Sequence, residues 1–178
     1  MNQLARWIVS LLSLSAFCNG AQALNFDDVP DGTDISTHYP GFIFSCEGMD
    51  CASPSIFARQ SLHPRSSPNV VAPEKTGAPG VHNPTTGVIK IALDCQTATK
   101  VTVWAWSEQV PEPLNNVQHA ILVAKDSNGA ILGQAVGTKY DQWEPLTVSS
   151  PSTPIKTVSL GVELDGKFAA PRSSTISR

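Results

Sequence analysis

The chain has 178 residues and a formal net charge of −3, with 12 basic and 15 acidic side chains. Charged residues make up 15% of it, below the roughly 25% of an average globular protein. Because no basic cluster occurs, nucleic acid and anionic membrane surfaces are poor candidates for partners.

The first 23 residues have the pattern of a secretory signal peptide. Arg6 gives a positive start, WIVSLLSLSAF is apolar, and the AQA ending at Ala23 has the small-x-small form that signal peptidase cleaves. The apolar segment is shorter than the about 20 residues that a membrane span needs. Phe17 argues against lipidation of Cys18. The sequence predicts a secreted or periplasmic product, with no membrane span after cleavage, that forms one domain over residues 24–170 and a polar tail over 171–178.

Four aspartates crowd the start of this mature chain: Asp27, Asp28, Asp31 and Asp34. They do not form an EF-hand, because alignment on Gly32 puts Val29 and His38 where that loop needs oxygen ligands. Two interpretations remain open. Asp27 or Asp28 binds a structural calcium ion together with backbone carbonyls, or Asp31-Gly32 makes a turn and Asp34 an Asx turn.

Three cysteines follow the signal peptide: Cys46, Cys51 and Cys95. An oxidising compartment permits a disulfide. Cys46 and Cys51 flank EGMD, which can turn back on itself, so this pair is predicted to be bonded. Cys95 shares the alternation of Ile91 and Leu93 and is predicted to be a buried thiol. The alternative pairs Cys95 with one of the other two.

Short apolar runs with a period of two recur along the chain, in the order GFIFS, GVIKIALDC, KVTVWAW, HAILVAK, GAILGQAVG, PLTVSS and IKTVSLGVEL. HAILVAK is apolar throughout, as expected of a strand buried on both faces. Asn128-Gly129 predicts a hairpin after it. Residues 52–87 contain six prolines and predict a long irregular loop with one or two short strands such as NVVAP, either a covering flap or a partner-binding segment. The whole pattern predicts an all-β protein, an antiparallel β-sandwich of the jelly-roll type.

The segment FDDVPDGTDISTHYPGFIFS resembles the opening of a group of secreted bacterial β-sandwich domains. The matching positions are Phe26, Asp27, Gly32, Thr33, Ile35, Tyr39, Gly41, Ile43 and Phe44. Later segments such as SSPNVV, AILVAKDSNGAILG and IKTVSLGVELDGKFAA follow in the same order. The group is similar to galactose-binding-like and carbohydrate-binding-module jelly rolls. The resemblance implies that fold, carbohydrate as the ligand class, and a calcium site beside the first strand. The chain departs from it in PRSSTISR, which lacks the late acidic residue of related calcium sites.

Aromatic residues provide the candidate ligand site. Sugar rings stack on exposed aromatic faces, and nearby polar groups bind their hydroxyls. The predicted ligand-binding residues are Trp106, Tyr140, Asp141, Trp143 and Glu144. Trp104 alternates with Val103 and Ala105, and burial in the core is the favoured interpretation for it.

No catalytic pattern is present in the sequence. The four histidines are scattered, neither G-x-S-x-G nor H-E-x-x-H occurs, and Glu108 and Glu112 are a weak candidate pair for a glycosidase. The predicted function is non-catalytic binding of a carbohydrate by an exported module. One alternative is a structural or protein-interaction β-sandwich at the cell surface, and the other is a glycan-active hydrolase or lyase.

Overall fold

The computed structural model describes residues 24, 26–47, 54–60, 69–72, 88–94, 98–106, 118–139, 142–164 and 167–168. The predicted signal peptide, Cys51, Cys95, Tyr140, Asp141 and the tail from residue 171 lie outside these ranges. So do most of the proline-rich loop and the pair Glu108 and Glu112.

The described residues form ten strands and contain no α-helix. The strands are β1 (Phe42–Glu47), β2 (Phe57–Gln60), β3 (Asn69–Ala72), β4 (Val88–Leu93), β5 (Lys100–Trp106), β6 (Gln118–Lys125), β7 (Ile131–Val136), β8 (Trp143–Ser149), β9 (Thr157–Leu164) and β10 (Lys167–Phe168). Within this part of the chain, no helix has the length and apolarity that a membrane crossing requires.

One main sheet has the strand order β1-β4-β9-β6-β7, and β10 pairs with β9. Two smaller sheets pair β2 with β3 and β5 with β8. Every pairing is antiparallel. The prediction of an all-β, antiparallel protein is therefore confirmed, whereas the jelly-roll topology stays a prediction.

Strand β6 lies between β9 and β7 and is buried on both of its faces. All five residues from Ala120 to Ala124 are buried, and Leu122 is fully buried. Leu122 pairs with Leu160 on β9 and with Ala135 on β7. The continuous apolar run in the sequence predicted this arrangement correctly, because a strand covered on both faces has no position for a polar side chain.

The β6–β7 hairpin turns at Asn128-Gly129, as predicted. Gly129 adopts a φ of 80°, which glycine tolerates because it has no Cβ. The Asp126 carboxylate accepts hydrogen bonds from the amides of Asn128 and Ala130 at 2.8 and 2.9 Å. This side chain holds the loop in the shape that brings the two strands together.

The sheet formed by β5 and β8 packs its inner face on the main sheet. Ala105, Leu146 and Val148 belong to one core cluster with Leu122 and Val158. The opposite alternation phase faces outward. Its members Thr102 and Trp104 are exposed, and 40% of the surface of Trp104 is accessible to solvent. The two faces of KVTVWAW were thus predicted correctly, but the favoured assignment of Trp104 to the core was wrong.

A second core cluster joins the N-terminal segment to the other end of the main sheet. Ile35 and Tyr39 pack with Phe44 on β1 and with Ile56 and Ala58. Backbone hydrogen bonds tie the same parts together, since the Ile35 amide donates to the Ile56 carbonyl at 2.8 Å and the Ala58 amide donates to the Thr33 carbonyl at 2.9 Å. The segment that contains the four aspartates is therefore part of the packed fold.

Cys46 is buried in this second cluster and is disulfide-bonded. The other three cysteines lie outside the described residues. The pairing of Cys46 with Cys51 therefore stays a prediction, as does the buried thiol at Cys95.

Candidate functional site

The outward face of β5 and β8 presents an aromatic side chain together with hydroxyl groups. The register pairs Thr102 with Thr147 and Trp104 with Pro145. Directly opposed residues of an antiparallel pair lie on the same face of the sheet. All four are exposed, so they form one continuous outward surface. We call the outward residues Thr102, Trp104, Trp143, Pro145 and Thr147 the aromatic face.

The alternation of β8 explains why this face is presented to solvent. Its burial alternates strictly along the strand, with Leu146 and Val148 inward and Pro145 and Thr147 outward. The inward aliphatic side chains leave water when the sheet packs on the core, and this fixes the register of the whole pair. The position of Trp104 follows from the burial of its neighbours rather than from its own hydrophobicity.

The two threonine side chains of the aromatic face contact each other across the strands. Their hydroxyl oxygens lie 2.9 Å apart, so one donates a hydrogen bond to the other. A hydroxyl pair of this kind keeps acceptor lone pairs directed to solvent. Hydroxyl groups that can accept hydrogen bonds thus lie next to Trp104 on the same face, two residues away along β5.

Trp143 begins β8 and is half-buried. Position 143 pairs with position 106, so the register places these two tryptophan positions on the same face as Trp104. The side chain of Trp106 is not among the described ones, and its predicted ligand contact stays a prediction.

Glu144 lies on the opposite side of β8 from Trp143 and is only 7% exposed. Its Oε1 accepts hydrogen bonds from the backbone amides of Thr138 and Lys139 at 2.8 and 3.1 Å. Oε2 lies 3.5 Å from the Thr138 hydroxyl, which donates to it. The carboxylate therefore binds the connection between β7 and β8, and its predicted contact with a ligand stays a prediction.

Gly137 makes room for this carboxylate. A Cβ at position 137 would overlap Oε1 of Glu144 and would also approach the Ala120 carbonyl oxygen. The Gly137 amide donates to that carbonyl at 2.7 Å. The glycine is required here for space, since its φ does not lie in the left-handed region.

The opening aspartates have structural partners in the described fold. The Thr33 amide donates to the Pro30 carbonyl at 3.2 Å around Gly32, whose φ of 83° suits a type II turn. The Asp34 carboxylate accepts the Ser36 amide at 2.9 Å, and hydrogen bonds from the Ser36 hydroxyl and then from this amide lower the pKa of Asp34. The predicted turn at Asp31-Gly32 and the predicted Asx turn at Asp34 are both confirmed.

Asp28 accepts a hydrogen bond from the Tyr39 hydroxyl at 2.6 Å. Tyr39 is buried and meets the rings of Phe26 and Phe44 edge to face. Burial, followed by the Asp28 carboxylate, raises the pKa of Tyr39 above its ordinary value. The contact gives Asp28 a role in holding the N-terminal segment on the sheet.

Among the residues that the structure describes, no group of three or more His, Cys, Asp or Glu side chains is placed to hold a metal ion. Calcium binding at Asp27 and Asp28 therefore stays a prediction. Oδ1 of Asp28 already accepts the Tyr39 hydroxyl, and the predicted site combines Asp27 or Asp28 with backbone carbonyls.

Of the aromatic face, only Trp143 was predicted as a site residue, and four residues were missed: Thr102, Trp104, Pro145 and Thr147. The alternation placed Trp104 with Thr102, a polar residue, and that grouping was the available indication of exposure. The cross-strand pair Thr102–Thr147 had no indication in the sequence, because its two members are 45 residues apart.

Neither the protein-family models nor the curated proteins compared with the chain gave a match.

Proposed function

We propose that this protein is an exported, non-catalytic carbohydrate-binding module, and that its ligand lies on the aromatic face. The observation that carries the proposal is the 40% exposure of Trp104 on a rigid two-stranded sheet. An exposed indole of this size is uncommon, because tryptophan is highly buried on average. An exposed indole can serve to bind a ligand whose apolar surface covers it.

The chemistry of the aromatic face fits a sugar. The axial C–H bonds of a pyranose ring carry partial positive charge and meet the negative face of an indole. The hydroxyls of Thr102 and Thr147 are able to exchange hydrogen bonds with ring hydroxyls. Trp143 extends the apolar surface at the start of β8, and the predicted ligand contacts of Trp106, Tyr140 and Asp141 are part of the same proposal.

The proposed architecture is a galactose-binding-like jelly roll, a β-sandwich. It is supported by the packing of the inner face of β5 and β8 on the main sheet through a shared core cluster. Two antiparallel layers with a common core are what a sandwich requires. A signal peptide ending at Ala23, secretion or delivery to the periplasm, and a structural calcium at Asp27 or Asp28 complete the proposal.

The test is binding of the purified exported protein, expressed from the full chain, to a broad glycan array with calcium present. Trp104→Ala is compared with Trp104→Phe, which keeps an aromatic ring, and with Ile131→Ala. Ile131 is a matched control, because it is an exposed apolar residue (64%) on the main sheet and away from the aromatic face.

We expect Trp104→Ala to lower the affinity for the bound glycan about tenfold or more, since loss of a stacking contact costs on the order of 1 kcal/mol or more. Trp104→Phe should retain part of the affinity, and Ile131→Ala all of it. Wild-type affinity in Trp104→Ala, or a folded wild-type protein that binds no glycan on the array, would contradict the proposal.

Strand β7 favours a second candidate function, which is binding of a cell-surface protein. It is the last strand of the main sheet among the described residues, and it exposes Ile131 and Val136. Its sequence ILGQAV contains no charged residue and no proline. Residues of these two kinds usually protect a sheet edge from pairing with another chain. If the glycan array is blank, crosslinking at the cell surface with the double variant Ile131→Lys and Val136→Lys tests this function, and loss of a specific crosslink supports it.

A further inference from the structure

We infer that Glu144 is a positioning residue of the aromatic face, acting through the backbone of Thr138 and Lys139 rather than by touching the ligand. This inference rests on the proposed carbohydrate-binding function. It starts from the fact that Trp143 and Glu144, neighbours in sequence, lie on opposite faces of β8. A ligand stacked outside on Trp143 is separated from the Glu144 carboxylate by the strand itself.

The Glu144 carboxylate is committed to the protein. A buried carboxylate is costly unless hydrogen bonds replace its lost hydration. Here Oε1 receives two backbone amides and Oε2 receives the Thr138 hydroxyl. We call this set of three contacts the Glu144 latch.

The latch fixes the connection that leads into the aromatic face. Only residues 137–142 join the end of β7 to Trp143. The latch binds two of them, and the Gly137 amide is bound to the Ala120 carbonyl on β6. Three consecutive residues, 137 to 139, are therefore held in place. Thr138 and Lys139 are exposed, and their backbone amides are held by the Glu144 side chain at the second position of β8.

This placement assigns Thr138 and Lys139 a role in ligand recognition. The Lys139 ammonium offers donors for sugar hydroxyls, and the Thr138 hydroxyl, which donates to Glu144, keeps its lone pairs as acceptors. The backbone that carries both side chains would be less ordered on a free loop. Ordering a residue on binding costs about 1–2 kcal/mol of backbone entropy. A latch that orders the loop before the ligand arrives removes this cost from the binding reaction.

The test combines amide spectra with glycan affinity. In Glu144→Ala, the Thr138 and Lys139 amides lose their acceptor, so their proton resonances should move upfield and their exchange with solvent should accelerate. The affinity for the array-selected glycan should fall about tenfold. Glu144→Gln keeps a carbonyl oxygen as an acceptor and should restore most of both properties. Glu47→Ala removes the same charge from a surface pair with Lys90 and should change neither.

Gly137→Ala provides an independent variant in which Glu144 is intact. The new Cβ displaces the carboxylate, so the same two amides should shift. Because both changes act on one latch, the double variant Gly137→Ala with Glu144→Ala should lose no more affinity than Glu144→Ala alone. Additive losses would overturn the latch as the common cause.

The possible failures are distinguishable. Unchanged Thr138 and Lys139 resonances in a folded Glu144→Ala protein overturn the latch itself. Shifted resonances with wild-type affinity overturn the positioning role while leaving carbohydrate binding intact. A wild-type protein that binds no glycan refutes the proposed function and the positioning role together, whereas the amide spectra still decide whether the latch forms.

Discussion

The phenol of Tyr39 is buried in the N-terminal cluster and donates its proton to Asp28. A hydrogen bond to a charged acceptor contributes about 1.5–3 kcal/mol to stability. Replacement by Tyr39→Phe keeps the ring contacts with Phe26 and Phe44 but removes this bond. We expect a loss of about 2 kcal/mol in the free energy of unfolding at neutral pH, measured by urea denaturation.

The raised pKa of Tyr39 makes stability fall at alkaline pH. Below the ordinary tyrosine value near 10, both the folded and the unfolded protein keep the proton, and the full contribution is present. Above it, the unfolded state releases the proton first, so the wild type loses up to about 1.4 kcal/mol per pH unit until the folded pKa is reached. The difference between wild type and Tyr39→Phe should therefore shrink as the pH rises past 10. A difference that stays constant there would contradict the raised pKa.

At the same scale, the residues of the N-terminal turn show how local chemistry is readable from sequence. Asp31-Gly32 and Asp34 were predicted as turn residues, and these predictions depend on contacts only two or three residues away. The partner of Asp28 was not predictable in this way. Tyr39 is 11 residues distant, and only the path of the folded segment brings the two side chains together.

At the scale of the element, β6 contributes buried residues to the core cluster shared with β5 and β8. Leu122 is fully buried, and its replacement by alanine removes buried contacts on the face shared with β5 and β8. We expect Leu122→Ala to lower the free energy of unfolding by about 3 kcal/mol. The matched control Ile131→Ala, on the neighbouring strand β7, should change it by less than about 0.5 kcal/mol, since Ile131 is exposed. Equal losses in the two variants, measured by urea denaturation, would contradict the described burial.

Strands β5 and β6 also mark the limit of what alternation reveals. A run such as HAILVAK has one possible environment, and its burial was predicted. KVTVWAW has two faces that both contain large apolar side chains, so the period separates the faces without telling which one meets water. That choice depends on where the main sheet lies, and this information resides in strands distant in sequence. For the same reason Glu144 was predicted beside Trp143, although the pleat directs them to opposite sides.

At the scale of the whole molecule, the predicted Cys46–Cys51 disulfide stabilises the junction between β1 and the segment that follows it. In the chain-entropy description, a loop this short contributes about 2 kcal/mol. We expect reduction of the disulfide to lower the free energy of unfolding by about that amount.

Peptide mapping under non-reducing conditions identifies the partner of Cys46 directly. Linked peptides containing Cys46 and Cys51 are expected, and the same mass spectra should show a mature N-terminus at Leu24. A Cys46–Cys95 peptide would replace the predicted pairing with its alternative and would connect β1 to the end of β4.

The order of the main sheet has a consequence for how the chain acquires its structure. Strand β9 lies between β4 and β6, although β10 is the only described strand that follows it in the chain. Until Thr157 and the residues after it emerge, the β1–β4 pair and the β6–β7 hairpin have no strand between them to join them into one sheet. Contacts between segments so far apart in sequence also make folding slow. For the proposed export, such late completion would leave the strands that precede β9 threadable through a translocation channel until β9 is synthesised.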